Sequence, residues 1–428
     1  MNKERGSVVI IVSFCIVLFI TILAFIVNVG YLSATKNIYE NAAEAAAMAG
    51  VARLCDGDAI EVAKQIAKEN GAPQGSVTVT LGFYDEENEK FYPEGSIPEG
   101  EYKNAVKVSI QSTENTILGG FLGKEQTQVR GVAVAYLVMY GMLAGDGIVV
   151  GENSWGHRFY SGQPEFKNGD IHANGDINFR NNAPGIDEDT VRVTAHGTVT
   201  GYDLGISNAD IVKLPPIDEH LDRLREKATK ILSESDFPFT NDPTDLELGE
   251  DGNYYGYKGS TYYFAPHPGD HGGAIYYFEF SDENSKLALA NNFGNDARVT
   301  NLIIATNRSV YRRRVSWDTK HQLWGGDGHT VLIVAKGDIN FGNPGYIYTD
   351  SFWDFEGTIF WAGNNIYYRV GGGAHNVTPQ GEQRILVRMI AGKNISVTKN
   401  FIPWPSVQFD FKFGPPCPPC IIKLGRLR

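Results

Sequence analysis

One feature constrains this chain before any other. From Val8 to Val29 the sequence is apolar except for Ser13, Thr21 and Asn28, and it carries no charge over these 22 residues. A helix rising about 1.5 Å per residue crosses a hydrocarbon core of roughly 30 Å with about 20 residues. The run therefore predicts a transmembrane helix over 8–29. The flank before it carries Lys3 and Arg5 against Glu4, and the positive-inside rule keeps residues 1–7 as a cytoplasmic stub. A cleaved signal peptide is the competing reading. Its apolar region spans only about 7–15 residues and ends at a small-residue site, so a retained anchor fits better. Cys15 within the run reads as a small apolar filler.

The residues that follow extend this helix. Ser33–Leu54 contains eight alanines and no proline, which predicts an Ala-rich helix over 30–55. Its small side chains suit either packing on its own domain or close approach to another helix. The combination Arg5-Gly6-Ser7, the apolar span, Asn28-Val29-Gly30, and Asn41-Ala42-Ala43-Glu44-Ala45-Ala46-Ala47-Met48-Ala49-Gly50 resembles the N-terminal module of TadG-like proteins of tight-adherence (Tad) pilus assembly systems. The family pattern usually has Asp where Asn28 and Glu44 stand. The resemblance covers about the first 55 residues. It implies an envelope protein with a membrane-anchored helix, working beside other pilus-assembly or pilin-like proteins. Gly6 stands where a prepilin peptidase would act, but type IV prepilins usually carry Glu five residues later and this chain has Ile11. An unprocessed anchor is the expectation.

Beyond the helix, Asp58–Asn70 has apolar residues at helical spacing with Gly71 as a stop. Val77–Leu81, Ala105–Ile110 and Val129–Val138 alternate or are rich in β-branched residues, as strands are. Residues 56–144 thus predict a small α+β unit next to the membrane. From Gly145 the texture becomes repetitive. Asn168-Gly-Asp-Ile171, Asn174-Gly-Asp-Ile177 and Lys336-Gly-Asp-Ile339 share one unit, echoed by Gly363-Asn-Asn-Ile366 and Gly392-Lys-Asn-Ile395. A Gly with Asp or Asn reads as a positive-φ turn, and the alternation after it as a short strand with Ile inward. The recurrence predicts a mainly β outer domain over 145–428, a right-handed parallel β-helix, with a sandwich or jelly roll as the alternative. An insertion at about 213–285 includes an amphipathic helix over Ile217–Ser233, whose apolar stripe is Ile217, Leu221, Leu224, Ala228 and Ile231.

Composition narrows function. Lys and Arg total 38 against 50 Asp and Glu, a net charge of −12, which argues against nucleic acid as a partner. Four cysteines exclude a disulfide framework. Asp350 and Asp354 among Phe352, Trp353 and Phe355 could form a carboxylate pair, but solvated loop acids are commoner. His267-Pro-Gly-Asp270-His271 offers three metal ligands in a loop rather than on a helix face. Asp327 lacks calcium-loop spacing. Arg312–Arg314 alternates across a strand and reads as a solvated patch. Seven tyrosines between 254 and 277 suit a sheet with aromatic cross-strand pairs, or else a sticky surface. Cys417 and Cys420 form a C-x-x-C outside any redox setting, either a disulfide staple or a thiol pair. No catalytic, cofactor or metal site is expected, and the chain reads as no enzyme. The expectation is a membrane-anchored, surface-exposed structural or adhesion protein of a Tad or type IV pilus-like system. Surface glycans are a candidate partner. An envelope-tethered carbohydrate-binding or carbohydrate-cleaving protein and a self-polymerising scaffold are the alternatives.

Overall fold

The computed structural model describes residues 3–54, 57–86, 88–99, 101–116, 125–138, 140–152, 164–180, 185–241, 245–291, 297–314, 322–324, 331–341, 357–370, 383–399, 407–410 and 421–425. The chain is mainly β, with few helices and two large sheets dominated by parallel pairing. It divides into two compact units, residues 1–138 with 415–428, and residues 139–414.

The first unit begins with a single helix, α1 (Lys3–Ala52), so the apolar run and the Ala-rich run are continuous. From Val12 onward it is long and apolar enough to cross a membrane. Helix α2 (Ala59–Glu69) buries Ala59, Ala63 and Ala67. Strands β1 (Val77–Asp85), β2 (Lys90–Pro93), β3 (Ala105–Asn115) and β4 (Gln126–Val138) form an antiparallel sheet in the order β2-β1-β3-β4. Ala42, Ala43, Ala46, Ala47 and Val51 of α1 join Val106, Val108 and Ile110 of β3 in one core. Gly131 makes this contact possible. A Cβ there would fall 2.4 Å from the carbonyl carbon of Tyr39, so only glycine lets β4 lie flush against the helix.

The fifth strand of this sheet corrects the expected boundary at 428. The terminal strand Ile421–Gly425 pairs antiparallel with β4, Ile421 opposite Val138 and Gly425 opposite Val134. It covers the edge that β4 would otherwise leave bare. The second unit is thus an insertion between two strands of the first.

In the second unit each passage of the chain lays one strand into each of two parallel sheets. In the first, Tyr262, Leu287, Val310, Ile339, Ile366, Ile395, Ile148, Ile177 and Val199 stand in register, one per strand. In the second, Tyr276, Ile304, Ile333, Phe360, Met389, Met142, Ile171 and Val193 do the same. Except for the end residue Val199, both columns are buried and belong to one core. The spatial order is not the chain order. The chain enters in the middle of the stack at Ile148, builds outward to Val199, and then travels to the far end. From there it builds back until Ile395 pairs with Ile148.

Helix α3 (Ile217–Glu226) lies on that return path. Its first residue reaches Gly363, His220 stacks 4.5 Å from Trp361, and Arg225 bonds Glu279 at 3.0 Å. It therefore crosses four neighbouring strands. Three strand spacings of about 4.8 Å match the roughly 15 Å length of a ten-residue helix. Leu221 and Leu224 are buried beneath it. The expected helix to Ser233 is corrected at Glu226. Thr229 donates its N–H to the Ile275 carbonyl, and Lys230–Leu232 pairs with Tyr276–Phe278 as a strand. Sheet pairing takes the backbone groups that another helical turn would have used. The expected insertion over 213–285 is also too long, because Thr261–Ala265 and Gly269–Phe278 are members of the two sheets.

Candidate functional site

The repeated Gly-Asp/Asn unit sits where the chain turns from one sheet to the other. In its first copy, Asn168-Gly-Asp-Ile171, the positive-φ residue is Asn168, with φ 61°, but the glycines do not follow the expectation: Gly145, Gly175, Gly363 and Gly392 are absent from the positive-φ set among the described residues. Close approach explains them. A Cβ at Gly392 would fall 2.0 Å from the Gly363 carbonyl oxygen, and one at Gly145 would fall 2.0 Å from that of Gly392. The acids and amides beside them form a ladder. Asp338 Oδ1 accepts from the Asn365 backbone N–H and Nδ2, each at 3.0 Å. Asn365 Oδ1 accepts in turn from Asn394 at 3.3 and 3.2 Å. Asp176 takes the Thr198 N–H at 2.7 Å and hydroxyl at 2.9 Å, which hold its carboxyl below the usual range. These residues are committed to joining neighbouring turns.

A second polar cluster closes one end of the stack. Asn253 is fully buried and donates from Nδ2 to the Tyr276 hydroxyl at 2.8 Å. Its Oδ1 accepts from the His267 backbone N–H at 3.0 Å and faces His267 Nδ1 at 3.2 Å. Asp251 Oδ2 receives Lys230 Nζ at 2.8 Å and the Tyr255 hydroxyl at 2.7 Å. Burial would raise the Asp251 pKa, but these two bonds and the Asn253 N–H outweigh it and hold the group ionised. Burial and the bond to Asp251 push the Tyr255 phenol up. His271 Nε2 donates to the His267 carbonyl at 3.0 Å, with the two rings 4.6 Å apart. Burial, aided by the neighbouring His267 ring, pushes its imidazole down. In the same loop Asp270 Oδ1 accepts from the Gly272 N–H at 2.8 Å and from Asn301 Nδ2 at 2.9 Å. No group of three or more metal-ligating side chains occurs among the described residues.

The tyrosines make cross-strand pairs. Tyr257 and Tyr262 are opposite and stacked with ring centroids 5.7 Å apart, and Tyr255, Tyr262, Tyr263, Tyr276 and Tyr277 are buried. Sequence reasoning missed Asp251, Asn253 and Lys230. They carry no motif and meet only through the hairpin at the end of the stack. Asp327, Asp350, Asp354, Cys417 and Cys420 lie outside the described residues. So do the side chains of Arg312–Arg314, whose backbone pairs with Leu289–Asn291.

The remaining singled-out residues lie on α1. Gly6 and Gly30 are helical, and a Cβ at Gly30 would meet nothing within 4 Å. Asn28 is buried, Asn41 and Glu44 are exposed, and Ala42, Ala43 and Ala46 are fully buried, with Ala45 intermediate. A Cβ at Gly50 would lie 3.0 Å from that of Ala63, so Gly50 lets α1 and α2 touch. The Ala-rich face packs on its own unit.

Residues 42–135 match the family model described as "Putative Tad-like Flp pilus-assembly". The first unit therefore contains a Tad-related module, and the match covers α2, β1–β3 and most of β4. No curated protein sequence matches the chain. Among solved structures, the chain is similar to an ice binding protein from an Antarctic Biological Consortium, with 11% identity, a TM-score of 0.21 and coverage of 63% of this chain and 87% of the other. It is also similar to the competence-associated pilin ComZ from Thermus thermophilus, with 9% identity, a TM-score of 0.20 and coverage of 82% and 88%.

Proposed function

We propose that this chain is a membrane-anchored, non-enzymatic structural or adhesion component of a Tad or type IV pilus-like assembly system. One observation carries the reading: the segment that matches the pilus-assembly family is the one that grips the apolar helix. In this reading α1 crosses the cytoplasmic membrane through residues 8–29, with the N-terminus inside and the bulk of the chain outside. The partners are other pilus-assembly or pilin-like proteins, and surface glycans are candidates for contact. The second unit is a parallel β-helix that serves as a rigid outer body. Its support is the two in-register buried columns and the turn glycines set against neighbouring carbonyls. Its polar ladder and end cluster give structural closure rather than chemistry.

Deletion of the chain in its native cell tests the role. Loss or shortening of surface filaments, restored by the full chain but not by one lacking residues 42–135, is expected. Filaments unchanged in number and composition would overturn the reading.

A further inference from the structure

On the outside of the first parallel sheet of the second unit, one row of side chains crosses six neighbouring strands. Tyr311 pairs with Asn340, Asn340 with Tyr367, Tyr367 with Ser396, Ser396 with Val149, and Val149 with Asn178. Alternation turns the row outward. Ile366 and Tyr368 on either side of Tyr367 are buried, as are Ile339 and Phe341 around Asn340, and Ile395 and Val397 around Ser396. Five strand spacings of about 4.8 Å make the row about 24 Å long. At one end it closes. Lys286 Nζ lies 5.2 Å from the centroid of the Tyr311 ring, and the next members of the register, Ala288 and Tyr263, are buried.

Tyr367 is 39% exposed. Among the described residues of the second unit, the other exposed large apolar side chains lie in the end strands of the stack or in the segments beyond them, whereas Tyr367 lies in the middle of a sheet. Its ring and hydroxyl have no ring pair and no hydrogen bond among the described residues. An aromatic in such a position ordinarily packs against its cross-strand neighbours, but here these are a short amide, Asn340, and a short hydroxyl, Ser396. An open phenol face set between short polar groups suits a sugar. The C–H face of a pyranose ring settles on the electron-rich face of the phenol, and its hydroxyls reach flanking groups that both donate and accept. Tyr311 and Tyr367 stand two strands apart, about 9.6 Å, close to the length of two linked pyranose units in an extended β-linked chain. Charge then selects among glycans. The row from Asn178 to Tyr311 contains no Asp, Glu, Lys or Arg, the turn ladder alongside adds Asp176 and Asp338, and the chain carries a net charge of −12. Such a surface disfavours a polyanion and is indifferent to a neutral chain. The buried Ile column and the ladder already fix the strands, so binding has few groups left to order.

We propose that the outward row from Asn178 to Tyr311 is a binding face for a neutral, extended β-linked polysaccharide. The chain lies across the strands with one sugar stacked on Tyr367 and its hydroxyls bonded by Asn340 and Ser396. The biological use of this face rests on the outward placement of the second unit proposed above, whereas binding itself does not.

The test sediments the full-length chain, held in lipid nanodiscs, with insoluble cellulose, with insoluble chitin, and with polygalacturonate beads as the acidic counterpart. Retention on at least one of the two neutral glycans, unchanged by added salt and greater than on polygalacturonate, is expected. Tyr367→Ala should lower it about fivefold or more, the loss of one stacking contact, at an unaltered melting temperature. Tyr367→Phe should stay within about twofold of the parent, and Tyr367→Trp, with a larger ring face, should raise retention, a gain that misfolding cannot produce. Tyr102→Ala, which removes an exposed tyrosine of the first unit, should change nothing. Retention on neither neutral glycan, retention indifferent to Tyr367→Ala and Tyr367→Trp, or preference for polygalacturonate overturns the proposal. Self-association abolished by Tyr367→Ala without glycan retention would assign the face to a second copy of the chain and overturn it as well. A reporter after Arg428 active only within the cell would overturn the outward placement while leaving retention in nanodiscs intact, so the two readings fail separately.

Discussion

At Gly392 a methyl group has nowhere to go, because the carbonyl of the next turn stands where it would be. Gly392→Ala should cost about 1–3 kcal/mol through forced displacement of that turn, read as a lower urea midpoint with an unchanged slope. Asp203, exposed and outside the ladder, should tolerate Asn within about 0.5 kcal/mol. His271 gives a pH-dependent counterpart. Its imidazole titrates below the ordinary value because it is partly buried beside His267. As pH falls below about 6.5, the unfolded chain takes up a proton that the folded chain refuses. Stability is therefore lost progressively until the lower folded value is passed. His271→Gln keeps a donor for the His267 carbonyl and should flatten the acid side of a thermal-stability profile. A profile identical to that of the parent protein would remove His271 from the account.

At the scale of elements, the columns make a prediction that single sites do not. Ile339 and Ile366 are fully buried, in register and adjacent. Each Ile→Ala change should cost about 2–5 kcal/mol. Because both side chains border the same space, the double variant should depart from additivity by about 0.5 kcal/mol or more. Additive losses would mean that the two strands do not share a core layer. Helix α3 depends instead on what it crosses. Its ion pairs at Asp218–Lys336 and Arg225–Glu279 are exposed and contribute little, so Leu221→Ala should destabilise the second unit far more than Asp218→Asn. The amphipathic stripe of this helix is legible in sequence from Ile217 to Leu224. Its end is not, since Ala228 and Ile231 continue the helical spacing, while the Ala228 N–H turns back to the Arg225 carbonyl and the Ile231 backbone is drawn into sheet pairing.

For the whole molecule, the terminal strand closes the first unit after the second has been completed. A chain ending at Gly414 should leave β4 uncovered on that edge and lower the melting temperature of the first unit, while the second unit keeps its parallel sheets. Proteolysis with mass mapping distinguishes the two: cuts should concentrate in 105–138. Equal resistance of the truncated and full chains would show that Ile421–Gly425 adds nothing. The proposed topology has its own test, since a reporter fused after Arg428 should be active outside the cytoplasmic membrane and silent within the cell.

The amino-acid sequence by itself determined whatever depends on local periodicity. The charge-free run over Val8–Val29 has a helix as its internally hydrogen-bonded solution in lipid. Alanine and alternation then set α1 and the strands of the first unit, and recurrent Gly-Asp-Ile marked the turns. Tertiary structure decided what depends on pairing between distant residues. No local pattern tells Ile395 to lie on Ile148, Ile421 to lie opposite Val138, or Asn253 to hold Tyr276 and His267. Backbone hydrogen bonds in a sheet are alike at every rung, so the neighbour is chosen by which edges remain open once the chain has come back. The same reason governs the turn glycines, whose need for space exists only when the adjacent carbonyl has arrived.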